Sequence, residues 1–233
     1  MKYAFGRGIA ALVLLSVLFS ASCSRQTAAP ASAEAGRVLV IDAGHGGEDG
    51  GAQSAAGLLE SGVNLDIALR MEALAQFCGV ETVMTRTSQE IEYPPELTKT
   101  AQRKTYDQKK RVELINATPG AVLISVHQNQ YPDPRPRGPQ VLYARGADSQ
   151  GLGELAHALL SQALYPENRR VAAPISKEIY LTRAVNCPAI LTECGFLSNP
   201  EEAALLDTPA YRLKIASVLV CAYLQYFGET KGT

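Results

Sequence analysis

The sequence predicts a single α/β domain with a largely parallel sheet. Short apolar segments of strand length alternate along the chain with segments of helical periodicity. Several of the apolar segments are nearly continuous, which is typical of strands covered on both faces. No internal repeat or linker interrupts the chain after residue 36. Residues 36–233, roughly 200 in all, therefore form one domain large enough for a full core.

The individual elements follow from local patterns. Six strands are predicted at residues 38–42, 80–85, 121–126, 140–143, 178–181 and 189–192. Apolar residues at three- and four-residue spacing predict helices over residues 64–78 and 152–163, and a polar helix covers residues 100–116. Asn199-Pro200 and Thr208-Pro209 each pair a capping residue with a proline at the first helical position, so each starts a helix. Gly228 can end the last one.

The amino terminus has the pattern of an export signal. Lys2 and Arg7 precede an apolar run over residues 9–19, and small residues follow it. This run is short for a membrane span, so residues 1–22 are predicted to be a signal peptide. Cys23 stands where a lipoprotein signal places its lipidated cysteine, and residues 23–35 form a tether. A plain cleaved signal and an uncleaved anchor are the alternatives. All three place the domain outside the cytoplasmic membrane, in the cell envelope.

The net charge argues against one class of function, and the cysteines leave the disulfide pairing open. The 22 basic and 23 acidic residues give a net charge of −1, which does not suit a nucleic-acid-binding protein. Besides Cys23 the chain has four cysteines, at positions 78, 187, 194 and 221. An exported chain can pair them in three ways, and free thiols are equally compatible with the sequence.

The segment "IDAGHGGEDGGA" places a histidine in a glycine-rich turn directly after the first strand. Glycine-rich turns at this place often bind phosphate. A P-loop would end in Gly-Lys-Ser or Gly-Lys-Thr, and a dinucleotide fingerprint would have glycine where Asp49 stands. Both phosphate-binding interpretations fail at their most specific residue, and His45 remains as the unusual feature.

Four residues are predicted to meet at one edge of the sheet. His45 and His127 each follow a buried strand, where ligand sites of open α/β sheets form. Glu193 ends another apolar strand, and Glu60 opens the helix after the glycine turn. Two imidazoles and one carboxylate make a zinc site with an open position, and a second carboxylate can act as general base. Structural roles for most of the four are the alternative. The third histidine, His157, is predicted to be exposed.

Four motifs at these residues resemble the zinc-dependent N-acetylmuramoyl-L-alanine amidases of the third amidase family. The motifs are "VLVIDAGHGGEDGGA", "ESGVNLDIA", "ISVHQNQ" and "PAILTECGFLSNPEEAALL". The resemblance implies that His45, Glu60 and His127 bind Zn²⁺ and that Glu193 is catalytic. It also implies a twisted sheet with helices on both faces, related to zinc exopeptidases. The implied substrate is the amide between the lactyl group of muramic acid and L-alanine in peptidoglycan.

A narrower resemblance is to the germination-specific amidases of spore formers, which prepare muramic lactam in the spore cortex. It rests on "CGFLSNPEEAALLDTPAY" and on the compact single domain. Daughter-cell separation and general wall turnover are alternatives for the same catalytic body. The chain departs from the family pattern at Ser61, where lysine often follows the zinc-binding glutamate.

Substrate contacts are expected from Arg111, because the family often has arginine at the matching place, and from Asn129, two residues after His127. Two other function classes remain open. A zinc peptidase on the related fold would act on free peptides. A catalytically silent wall-binding module would be expected to have lost a ligand or Glu193, and the sequence keeps all four residues. The sequence does not determine an activator protein or the oligomeric state.

Overall fold

The computed structural model of the chain describes residues 36–176 and 179–229. They contain six strands: β1 (Val38–Ala43), β2 (Thr82–Met84), β3 (Ala121–Asn129), β4 (Gln140–Tyr143), β5 (Ala173–Pro174) and β6 (Ala189–Phe196). They also contain six helices: α1 (Glu60–Phe77), α2 (Thr100–Ala117), α3 (Ala147–Leu164), α4 (Tyr180–Ala184), α5 (Pro200–Leu206) and α6 (Pro209–Glu229). The predicted signal peptide, Cys23 and the tether lie outside the described residues. In the described part, no helix is both long and apolar enough to span a membrane.

The strands form one sheet in the order β2-β1-β3-β6-β4-β5. All neighbouring pairs are parallel except β4 and β6, which are antiparallel. This confirms the predicted α/β class and the largely parallel sheet. The three central strands β1, β3 and β6 end at the same edge because they run in the same direction. His127 of β3 lies in register with Glu193 of β6, so two of the predicted site residues are direct neighbours.

Helices cover both faces of the sheet. On one face α1 and α3 pack against α6, and their apolar residues form the larger core with Leu39 and Ile41 of β1. On the other face α2 and α4 pack together and form a smaller core with Val40 of β1 and Leu123 of β3. Successive strand side chains point to opposite faces, so each central strand contributes to both cores. Because both faces of these strands are buried, their sequences are continuously apolar.

Two local predictions are wrong. Residues 178–181 are predicted to form a strand. Residue 178 lies outside the described residues, and Tyr180 begins the short helix α4. The outermost strand next to β4 is instead the two-residue β5. A segment as short as this one cannot be assigned to strand or helix by periodicity alone. The last helix also continues past Gly228 to Glu229.

The prediction for His157 is also wrong. It was predicted to be exposed, but it is buried in α3. Burial, with the nearby charge of Arg170, lowers the pKa of its imidazole. The buried face of α3 is wider than its apolar stripe predicts, because both β4 and α6 cover this helix.

Candidate active site

The structure brings three of the predicted site residues together. One ligand atom from each of His45, Glu60 and His127 lies within 4.8 Å of the other two. The Glu60 carboxylate lies between the two rings, with Oε2 3.3 Å from His45 Nε2 and Oε1 3.0 Å from His127 Nδ1. The two imidazoles meet edge to face, with ring centroids 5.1 Å apart. Two nitrogens and one carboxylate oxygen are the donors of a three-ligand zinc site.

The glycine turn allows this convergence. His45 has a φ of 60°, an uncommon conformation for a residue with a side chain. Gly44 passes so close to His127 that a Cβ there would overlap the imidazole ring. Gly51 lies against the other ligands, where a Cβ would come within 2.8 Å of His45. The glycines therefore let the backbone approach the ligands closely, as a metal site at a turn requires.

Two buried arginines hold the backbone of this turn. Arg86 donates to the carbonyls of Ala43 and Gly44, and also to the carbonyl of Ser61 at the start of α1. Arg111 donates to the carbonyls of Ala43 and His45 at 2.6 and 2.7 Å. The turn that carries His45 is thus fixed to the helix that carries Glu60.

The buried position of Arg111 differs from the expected substrate contact. Its side chain is only 5% exposed, and it pairs with Asp42 and Asp107. These charges outweigh the effect of burial and raise the pKa of the guanidinium. In turn Arg111 and two hydroxyl donors, Ser125 and Thr85, outweigh burial and lower the pKa of Asp42 to about 2. This geometry fits a residue that positions the turn, not one that touches substrate.

The Glu60 carboxylate is oriented by its own set of donors. The backbone N–H of Ala52 donates to Oε2 at 2.8 Å, and the backbone N–H of Gln128 donates to Oε1 at 3.1 Å. Asn64, one turn further along α1, donates to Oε1 and to the carbonyl of Gly44. Burial alone would raise the pKa of Glu60, but hydrogen bonds and charges of the two histidines lower it well below its usual range. Glu60 is therefore ionised, as a carboxylate that binds a metal ion must be.

His45 has a second carboxylate on its outer side. Its Nδ1 lies 3.0 Å from Asp49 Oδ2, although the direction is poor for a hydrogen bond. Asp49 in turn pairs with Lys104 of α2 at 2.9 Å. Burial lowers the pKa of His45, but Glu60 and Asp49 outweigh it and the net shift is upward. A carboxylate behind a ligand histidine commonly fixes the orientation of its ring.

Glu193 lies beside the cluster and is chemically different from Glu60. Its Oε2 is buried and has no hydrogen-bond partner among the described residues. Burial raises the pKa of this carboxyl to about 7; the charge of Glu60 adds to the rise, and the two histidines oppose it. Glu60 is thus kept ionised, whereas the pKa of Glu193 lies near neutrality. Such a difference between two neighbouring carboxyls is typical of a metal ligand beside a group that transfers protons.

Asn129 is at the end of β3, where the pairing with β6 is irregular. Its side-chain oxygen accepts from the N–H of Gln130, and its carbonyl accepts from the N–H of Leu197. Its side chain is partly exposed at the edge that carries the site. A substrate contact by Asn129 remains a prediction.

The sequence did not predict the roles of three buried residues at this site. Asn64 and Arg86 contact the candidate ligands or the turn that carries them, and Asp42 binds Arg111. A weak signal existed for Asn64, which follows Glu60 by four residues and so shares its helix face. Arg86 is 41 residues from His45 in sequence and gave no local signal. Only the pairing of β1 with β2 places it beneath the turn.

Three convergent groups that could hold a metal ion, with a half-buried carboxyl beside them, lie at the carboxyl edge of a mainly parallel sheet. This arrangement is typical of metal-dependent hydrolases. A family model described as N-acetylmuramoyl-L-alanine amidase matches residues 39–222 of the chain. The chain belongs to this family of enzymes, and the family predicted from the four sequence motifs is confirmed.

Individual relatives are similar over most of their length. The chain is 38% identical to the "Germination-specific N-acetylmuramoyl-L-alanine amidase" of Bacillus subtilis, over 83% of this chain and 81% of the relative. The CwlD amidase of Clostridioides difficile, solved in complex with the GerS lipoprotein, is 32% identical with a TM-score of 0.78, over 82% of this chain and 98% of that one. The amidase AmiC2 of Nostoc punctiforme is 27% identical with a TM-score of 0.69, over 82% and 96%.

Proposed function

We propose that this chain is a zinc-dependent hydrolase that cleaves the amide between N-acetylmuramic acid and L-alanine in peptidoglycan. The observation that carries the proposal is the cluster of His45, Glu60 and His127 with Glu193 beside it. The donor set fits catalytic zinc, which takes three protein ligands and leaves one position open. The two ligand imidazoles and the ligand carboxylate leave Glu193 for proton transfer.

The residues divide the work of amide hydrolysis. Bound zinc would polarise the amide carbonyl and lower the pKa of a water molecule. Glu193 accepts a proton from the attacking water and donates it to the departing amine of L-alanine. A carboxyl with a pKa near neutrality can act in both directions at physiological pH. Arg86, Asn64 and Asp49 hold the ligands in place throughout.

Metal analysis of the purified protein tests the zinc assignment. We expect about one zinc per chain, and sharply reduced zinc after replacing His45, Glu60 or His127 by alanine. Glu154→Gln, on an exposed part of α3, is the control and should retain full zinc. The same donor set can bind iron(II), so both metals are measured. Full occupancy in all three alanine variants would refute the assignment.

Product analysis tests the reaction. Digestion of intact sacculi should release peptides that begin with a free L-alanine amino group. New reducing sugar ends without new alanine amino groups would indicate a glycosidase instead. Cleavage of free stem peptides, but not of sacculi, would favour the alternative of a zinc peptidase.

We further propose that the spore cortex is the physiological substrate and that the enzyme acts in muramic lactam formation. The identity to the germination-specific amidase and the similarity to CwlD support this role. Deleting the gene should remove muramic lactam from the cortex. Normal lactam content would reject the role and leave the amidase chemistry untouched.

The proposed substrate also requires export to the cell envelope. The signal pattern of residues 1–22 supports export, and Cys23 supports attachment to the membrane. Cell fractionation of the full chain and a Cys23→Ala variant tests the attachment. Release of the variant alone into the soluble fraction would support lipidation at Cys23, and equal release of both proteins would exclude it.

A further inference from the structure

Glu202 is a buried carboxyl outside the metal cluster. It is the third residue of α5 and only 3% exposed. Its Oε2 accepts the backbone N–H of Phe196, and its Oε1 accepts the backbone N–H of Gly138, both at 2.8 Å. Burying a carboxyl is unfavourable unless such donors compensate it. The two bonds therefore hold Glu202 in place and, equally, hold the two backbone segments that donate them.

Those two segments flank Glu193. Phe196 ends β6 three residues after Glu193. Gly138 lies two residues before Gln140, which begins β4 and is the register partner of Glu193. Glu202 thus joins the end of the strand that carries Glu193 to the entry of the strand beside it.

The start of α5 fixes Glu202 itself. Asn199 accepts the backbone N–H groups of Glu201 and Glu202 with its side-chain oxygen and donates to the carbonyl of Pro134. The helix cap therefore also contacts the loop that leads to Gly138. His45 and Glu60 depend on a different set of contacts, from Arg86, Arg111 and Asn64. Loosening the Glu202 contacts should therefore move Glu193 relative to His45 and Glu60.

We propose that Glu202 is a positioning residue for the hydrolytic reaction: by binding the backbone of Phe196 and Gly138, it fixes the Glu193 carboxyl relative to the metal ligands. This inference rests on the proposed function. Small displacements of a proton-transferring group lower the rate of the chemical step more than they weaken binding.

Glu202→Gln tests the proposal, because an amide has one accepting oxygen and cannot accept both N–H groups through separate oxygens. We expect kcat on peptidoglycan to fall about tenfold, with KM and zinc affinity changed by less than about twofold. Glu201→Gln is the matched control, since Glu201 is adjacent, its side chain is 72% exposed, and it pairs with Arg137 at the surface. Glu202→Asp, which keeps the charge but has a shorter reach, should give a smaller loss and serves if the glutamine variant does not fold.

A double-mutant cycle separates positioning from general destabilisation. If Glu202 acts through Glu193, Glu202→Gln should lower kcat by less than about twofold in a Glu193→Gln background. An equal tenfold loss in both backgrounds, or a loss of zinc, would overturn the proposal. Unchanged kcat in the folded Glu202 variants would overturn it too. Failure of the proposed function would be distinguishable from failure of this inference, because the unaltered protein would then show no amidase activity.

Discussion

The Glu193 carboxyl has an unfavourable environment, of a kind that is common at functional sites. One of its oxygens is buried without a partner in the described part of the chain, and Glu60 adds a like charge nearby. Both features disfavour the ionised form. His45, with its φ of 60°, is a second residue held in an unfavourable state at the same site. Such strain concentrates where chemistry requires it.

Replacing Glu193 by glutamine should separate chemistry from metal binding. Glutamine keeps the shape but cannot accept a proton, so kcat should fall roughly 10²–10⁴-fold, the usual range for a general acid–base group. Zinc content and substrate binding should remain near those of the unaltered protein. A variant that loses zinc would make Glu193 a ligand, and the roles of Glu60 and Glu193 would have to be exchanged.

The same variant should stabilise the metal-free protein at alkaline pH. The pKa of Glu193 is about 7 in the folded state and near 4.5 in the unfolded chain. The unfolded chain therefore releases this proton first, and stability falls as pH rises from about 4.5 to 7. At pH 8 Glu193→Gln should be more stable by up to about 3 kcal/mol, measured by urea unfolding with chelator present. The difference should disappear near pH 4; a constant difference at all pH values would contradict the assignment.

At the scale of elements, the segment between β1 and α1 joins two of the three candidate metal ligands. It brings one ligand from a strand end and another from a helix start into contact within fifteen residues, His45 to Glu60. Arg86 and Arg111 reach it from β2's outgoing loop and from α2, and so connect it to both neighbours. The turn depends on these long-range contacts as much as on its own glycines.

Two glycine substitutions in this segment should have different effects. A Cβ at Gly44 would overlap the His127 ring, whereas one at Gly50 would lie 3.2 Å from the flexible end of Leu59. Neither glycine has a positive φ, so backbone strain does not distinguish them. Gly44→Ala should lower zinc affinity at least about tenfold, as expected when a ligand ring is displaced. Titration calorimetry measures this, and Gly50→Ala serves as the control. Equal zinc affinity of the two variants would show that the close approach is unimportant.

At the scale of the whole molecule, the order of the strands in the sheet brings the residues of the site together. β1, β3 and β6 are neighbours although they are distant in sequence, and they deliver His45, His127 and Glu193 to one edge. The four cysteines of the described chain are spread over this fold as free thiols. Its stability therefore comes from the two cores and the buried polar network, without a disulfide.

Thiol titration tests whether these four cysteines are free. Cys78 and Cys221 are exposed and should react quickly in the native protein. Burial raises the pKa of Cys194 to about 12, so this thiol should react only after unfolding. Burial also raises the pKa of the half-buried Cys187, which should react slowly. Reducing agent should leave the Tm unchanged. A Tm that falls on reduction would indicate a disulfide among these four cysteines.

The sequence by itself determined the α/β class, the order of most elements and the four residues of the candidate centre. Apolar runs and helical stripes have short periods that a local window captures. Glycines beside His45, and Glu193 after an apolar strand, are chemically unusual in their own neighbourhoods. They could therefore be recognised before any contact was known.

Only the tertiary structure decided which residues hold the centre together. Arg86, Arg111 and Glu202 bind segments that are distant in sequence, through backbone carbonyls and N–H groups that no sequence pattern marks. The burial of His157 likewise depends on β4 and α6 covering α3. Long-range packing sets the environment of each side chain. That environment makes Arg111 a support for the turn, keeps Glu60 ionised and gives Glu193 a pKa near neutrality.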